Sequence, residues 1–168
     1  MTVVSVEKDP ANRTMTLVAE FDAGVDRVWR VWSDPRQLER WWGPPTYPAT
    51  VEDHDLVPGG RVTYYMTGPE GDRHRGWWRI TAAEAPRRLA FEDGFTDTDG
   101  TPSAEQPVTA VEVSLADRSG GGTRMEIRST FLSTEAMEQL LAMGVAEGFT
   151  AAVGQLDAIL AETEARRA

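Results

Sequence analysis

Hydrophobic and polar residues alternate from Arg13 to Asp22. Met15, Leu17, Ala19 and Phe21 share one side and mostly polar residues the other, which predicts a half-buried strand. The period then changes. Val25, Val28, Trp29 and Trp32 recur at i, i+3, i+4 and i+7, so the spacing predicts a short amphipathic helix over 25–33. A second helix starts at Asp34-Pro35-Arg36-Gln37: the aspartate is placed to cap it, proline suits its first position, and Gln37 can reach back to the cap. Leu38, Trp41 and Trp42 make its buried side. Gly43-Pro44-Pro45 stops it, because proline cannot continue a helix and constrains the residue before it.

From Tyr47 to Phe131 turn residues return about every ten positions, the rhythm of an antiparallel meander. Pro58-Gly59-Gly60, Gly68-Pro69-Glu70-Gly71-Asp72, Ala85-Pro86-Arg87 and Ser119-Gly120-Gly121-Gly122 separate strands predicted at 47–57, 61–67, 73–83, 88–94, 107–116 and 123–131. Thr96 to Gln106, rich in Asp, Thr, Gly and Pro, reads as a long loop. Gly76, Trp78 and Ile80 share a parity, as do Leu89 and Phe91, then Val111, Val113 and Leu115, then Met125, Ile127 and Phe131. Their neighbours Arg79, Thr81, Glu112, Arg124, Glu126 and Arg128 are polar, so one sheet face is buried and the other wet. After a cap at Ser133 or Thr134, an apolar stripe from Met137 to Leu160 predicts one helix of about 28 residues, roughly 40 Å long. Such a stripe needs a large apolar partner, and the concave sheet face is the one available. The expected fold class is therefore α+β: a curved seven-stranded antiparallel sheet wrapped around a long C-terminal helix, with two short helices between strands 1 and 2. Residues 1–168 are expected to form one domain with its core at about 13–162.

Composition narrows the function classes. The 168 residues carry 17 Lys+Arg against 27 Asp+Glu, a formal charge of -10, and no cysteine. Disulfides, thiolate metal sites and thiol nucleophiles are excluded, and the acidic balance disfavours nucleic acid and anionic lipid as partners. The start lacks a basic segment followed by an apolar one, and no run of about 18 apolar residues occurs, so the expectation is a cytoplasmic protein without membrane insertion.

The order of elements, together with Val28-Trp29-Arg30-Val31-Trp32, Asp34-Pro35, Trp41-Trp42-Gly43-Pro44, Asp55-Leu56-Val57-Pro58-Gly59-Gly60 and Met143-Gly144-Val145-Ala146-Glu147-Gly148-Phe149, resembles the SRPBCC/START-like superfamily. Within it, the chain is similar to the bacterial branch related to activators of the heat-shock-protein-90 ATPase, from about Thr14 to Leu160. It departs from that pattern at Val57, where the family often has Arg, and at Phe149, where it often has Trp. The resemblance implies a helix-grip fold with a cavity between sheet and C-terminal helix. It transfers no catalytic residue and implies a chaperone partner only weakly, since the eukaryotic activators engage the chaperone through a further N-terminal domain.

The residues themselves offer a candidate site. Gly144 and Gly148 sit four apart on the expected buried side of the last helix, where glycine costs up to about 1 kcal/mol each relative to alanine. Their missing side chains serve either close packing of helix on sheet or space for a ligand. Trp41, Trp78, Phe91, Met125, Met143 and Phe149 can line such a space or simply form core. If the strands are regular, Glu52, His54, Tyr64 and His74 come together on the concave face, where they would orient a polar ligand or do acid-base work; one bulge would flip that parity. No metal site is expected, because the two histidines lack diagnostic ligand spacing, and Asp97-Thr98-Asp99-Gly100 lacks the flanking ligands of a calcium loop. No cofactor motif is present. Arg73, Arg75 and Arg79 beside Trp77 read as a solvated outer face in preference to a nucleic-acid surface. The favoured expectation is a binding protein for a hydrophobic small molecule, with Trp41, His54, Tyr64, Trp78, Phe91, Met125, Met143, Gly144, Gly148 and Phe149 around the ligand. A cavity enzyme using Glu52, His54 and His74, or a chaperone-regulator-like interaction module, are the alternatives, and outward-pointing Trp77 leaves a homodimer open.

Overall fold

The structure, a computed structural model, describes residues 3–95 and 108–167. The predicted loop Thr96 to Gln106, with its Asp97-Thr98-Asp99-Gly100 turn, lies outside these. Eight strands form one antiparallel sheet: β1 (Val3–Asp9), β2 (Thr14–Phe21), β3 (Ala49–His54), β4 (Arg61–Thr67), β5 (Arg73–Glu84), β6 (Arg88–Phe95), β7 (Thr109–Asp117) and β8 (Thr123–Thr130), in the spatial order β1-β2-β8-β7-β6-β5-β4-β3. Helices α1 (Val25–Ser33) and α2 (Pro35–Leu38) connect β2 to β3, and α3 (Thr134–Ala142), α4 (Val145–Gly154) and α5 (Leu156–Arg167) follow β8.

Two features differ from the expected architecture. The sheet has eight strands, not seven, because Val3–Asp9 pairs with β2 at the sheet edge. Its apolar residues Val3, Val4 and Val6 do not alternate, and the register shifts between Val3 and Ser5, so main-chain pairing specifies this strand more than burial does. The C-terminal stripe is not one uninterrupted helix. Gly144 adopts φ 87°, a left-handed conformation that ends α3 and opens α4, and a turn at Gln155 separates α4 from α5. Ser133 caps α3 through its hydroxyl, which accepts from the Ala136 N–H at 3.0 Å, and Asp34 caps α2 in the same way through Arg36.

The strand parity is as expected. Leu17, Ile127, Val113 and Leu89 are register neighbours across β2, β8, β7 and β6, and all are buried. Val28, Val31 and Trp32 of α1 and Val153, Leu156 and Ile159 of the C-terminal helices close over this face. The opposite face is wet and laced with cross-strand ion pairs, among them Arg88–Glu112, Arg128–Glu112 and Arg79–Glu92. Trp77 lies on that face, half-buried across Gly94, its register partner; a Cβ at Gly94 would come within 2.6 Å of the indole. Among the described residues no helix is long and apolar enough to cross a membrane.

Candidate functional site

The aromatic core prepares the site. Trp32 packs edge-on to Trp41 with ring centroids 4.7 Å apart, Trp42 meets Trp78 at 4.7 Å, and Trp78 stacks on Phe91 at 4.0 Å. Trp41 donates its indole N–H to the Val31 carbonyl at 2.9 Å, and Gln155 at the α4–α5 junction donates to the Gly43 carbonyl at 2.8 Å. The turn carrying the two tryptophans is thus fixed to α1 on one side and to the C-terminal helices on the other.

Beyond Trp42 the helices do not reach the sheet. A cavity of about 220 Å³ lies there, walled by Trp42, Tyr64, Met66, Val111, Phe131 and Phe149, with Pro44, Phe95 and Thr109 among its other lining residues. Gly148 of α4 borders it, and a Cβ built on Gly148 meets nothing within 4 Å. The walls are mainly apolar, with one ionisable pair set into them. Tyr64 stands opposite Gly76 in the β4–β5 register, and a Cβ on Gly76 would collide with the phenol ring. The missing side chain lets the ring lie across β5, so that its hydroxyl donates to Asp93 Oδ1 on β6 at 3.0 Å.

Asp93 is half-buried beside the cavity, and burial pushes its carboxyl up to about 7, against the pull of the Tyr64 hydrogen bond in the other direction. Burial, followed by the negative charge of Asp93, raises the Tyr64 phenol well above its ordinary value. The Trp42 and Trp78 indoles act on that phenol with the opposite sign, and their N–H groups are buried without a hydrogen-bond partner. Among the described residues no Arg, Lys or His forms an ion pair with Asp93, and no group of three or more potential ligands could hold a metal.

Of the residues singled out from sequence, Tyr64, Gly148 and Phe149 border this cavity. Trp41, Trp78, Phe91 and Met125 are buried in the core beneath it and do not line it. Met143 is 62% exposed at the end of α3, because Gly144 turns the chain there, and Gly144 itself serves backbone conformation instead of opening space. The Glu52, His54, Tyr64 and His74 group is not assembled. A bulge between Val51 and Asp53 throws Glu52 outward onto Arg75, and His54 binds the Trp32 carbonyl through Nε2 at 3.0 Å. His74 keeps the parity of Gly76 and Trp78 but lies near the end of β5, exposed and paired with Asp72. Asp93 and Trp42 were missed as site residues. The signal for Asp93 was present: it continues the inward row Leu89, Phe91.

A larger depression of about 620 Å³ runs over the wet face, where Arg79, Arg88 and Arg128 are already paired with Glu92 and Glu112. It offers no buried polar group to a ligand.

Comparisons with known proteins agree with this architecture. The family model for Activator of Hsp90 ATPase homolog 1-like protein matches residues 22–161. A solution structure of a protein from Arthrobacter aurescens is 53% identical, with 96% of this chain and 93% of that chain covered and a TM-score of 0.92. A crystal structure of a protein from Mycobacterium smegmatis is 49% identical, covering 94% of this chain and 96% of that one, with a TM-score of 0.86. The AHSA1 protein of Silicibacter pomeroyi shares the fold at 24% identity, with 89% and 99% of the two chains covered and a TM-score of 0.72. No curated protein matches the sequence. With the helix-grip arrangement, the match across 22–161 and two full-length structural relatives in agreement, the chain belongs to the Activator of Hsp90 ATPase homolog 1-like family.

Proposed function

We propose that the protein binds a small, mainly hydrophobic molecule in the cavity between the sheet and α4. The observation that carries this reading is Gly148: a helical glycine is disfavoured relative to alanine, yet here its absent side chain leaves room inside a space walled by Trp42, Phe131 and Phe149. Close packing of helix on sheet does not account for it, since among the described residues no atom outside the helix's own backbone stands within 4 Å of where the Cβ would be. The volume of about 220 Å³ is below the roughly 300–1,000 Å³ usual for drug-sized ligands, so the occupant is small.

The test is titration of the protein with phenethyl alcohol, a neutral aromatic probe of suitable size, before and after Gly148→Leu. The leucine side chain would occupy the cavity, so affinity is expected to fall by roughly tenfold or more. The unfolding midpoint should not fall with it, because a glycine is being replaced inside a helix. Equal affinity in the two proteins would refute the cavity as the binding site.

A further inference from the structure

The cavity holds a carboxylate with no counter-charge among the described residues. Asp93 accepts one hydrogen bond, from the Tyr64 hydroxyl at 3.0 Å, and among the described residues no cation pairs with it. The described residues lining the space include no Arg, Lys or His, and among them Tyr64 is the other ionisable side chain. The described lining residues from β2, β7, β8, α4 and the Trp42–Pro44 turn carry no titratable group. Among the described residues, therefore, none balances the charge that Asp93 acquires on ionisation.

Aromatic faces surround the same space. Trp42 meets Tyr64 at 6.0 Å and Phe149 at 5.7 Å between ring centroids, both edge-to-face, so these rings stand at different orientations about the cavity. A cation is attracted to aromatic faces, most strongly where water is excluded. The chain's formal charge of -10 also favours the approach of cations over anions.

From this geometry we infer that the occupant of the cavity is a hydrophobic amine, its ammonium group paired with Asp93 and its apolar body held against Trp42 and Phe149. The inference rests on the cavity reading given under Proposed function and adds the chemical class of the ligand. A neutral alcohol could fill the space and hydrogen-bond to Asp93, but it would leave the carboxylate uncompensated. A carboxylic acid of the same shape would bring a second negative charge into it.

The test is calorimetric titration of the intact protein at about pH 8 with phenethylamine, phenethyl alcohol and phenylacetate, where the amine is protonated. The amine is expected to bind roughly tenfold or more tighter than the alcohol, and phenylacetate weakest of the three. In Asp93→Asn the ratio of amine to alcohol affinity should fall to about one. Equal binding of amine and alcohol to the wild-type protein, or an amine preference that survives in Asp93→Asn, would overturn the inference while leaving the cavity reading standing. The wild-type comparison needs no variant, so a folding defect in Asp93→Asn would not obscure it. If none of the three probes binds, the cavity reading falls and this inference falls with it.

Discussion

A single carboxyl on β6 gives the molecule a pH dependence of definite sign. Folding raises Asp93 to about 7, whereas an aspartate in an unfolded chain titrates near 3.9. Between those values the native state keeps a proton that the unfolded chain releases, so this group's contribution makes stability fall as pH rises from about 4 to about 7 and level off above, at up to about 1.4 kcal/mol per pH unit. Asp93→Asn removes the slope. Subtracting the wild-type unfolding free energy from that of the variant cancels the other titrating groups, and the difference should climb in the variant's favour from about pH 4 to about pH 7 and level off above. A difference that stays flat would mean that the carboxyl titrates as an ordinary aspartate. Tyr64 bears on the same group from the other side: its hydroxyl lowers the Asp93 pKa, so Tyr64→Phe should move that pKa upward in a carboxyl-resonance titration. A downward movement would show that the hydroxyl does not stabilise the anion.

At the scale of the C-terminal helices, two glycines that look alike in sequence have opposite functions. Gly144 holds φ 87° at the junction of α3 and α4, and alanine there should destabilise the protein by about 1–2 kcal/mol, the usual cost of a left-handed non-glycine residue. Gly148 is helical with open space beside it, so Gly148→Ala should stabilise by about 0.5–1 kcal/mol. Chemical unfolding of the two variants checks both signs, and two changes in the same direction would remove the distinction. The pair also shows what a sequence pattern contains. Spacing placed both residues on one stripe, but spacing carries no backbone dihedral, so the break at Gly144 and the exposure of Met143 were invisible. The strand bulge at Val51–Asp53 hid Glu52 in the same way, because period-two reasoning assumes a regular ladder. Asp93 was legible in principle. Its parity with Leu89 and Phe91 aimed a carboxylate inward, a position where an acidic side chain calls for a partner or a purpose.

Over the whole molecule, the sheet was readable wherever burial enforces alternation and turn residues mark the ends, which covers the seven strands from Thr14 onward. The cavity was expected from family resemblance, but its position depends on how three helical segments rest on a curved sheet, a relation among distant residues that no local pattern encodes. β1 escaped for a related reason: it is held by main-chain pairing at an edge, and side-chain patterning hardly reports it. That makes its contribution a matter of exposed ladder groups. Without β1, the outer N–H and C=O groups of β2 lose their partners along Met15 to Ala19, and Val3 and Val6 leave the flank of the core. A chain starting at Pro10 should lose about 2 kcal/mol, which for a protein of this size lowers the melting temperature by roughly 4–8 °C. It should also associate with rising concentration, because the uncovered β2 edge can pair with a second copy. Thermal unfolding together with light scattering measures both effects, and a shortened chain that melts where the full one does and stays monodisperse would show that β1 is an ornament to the sheet instead of its protected edge.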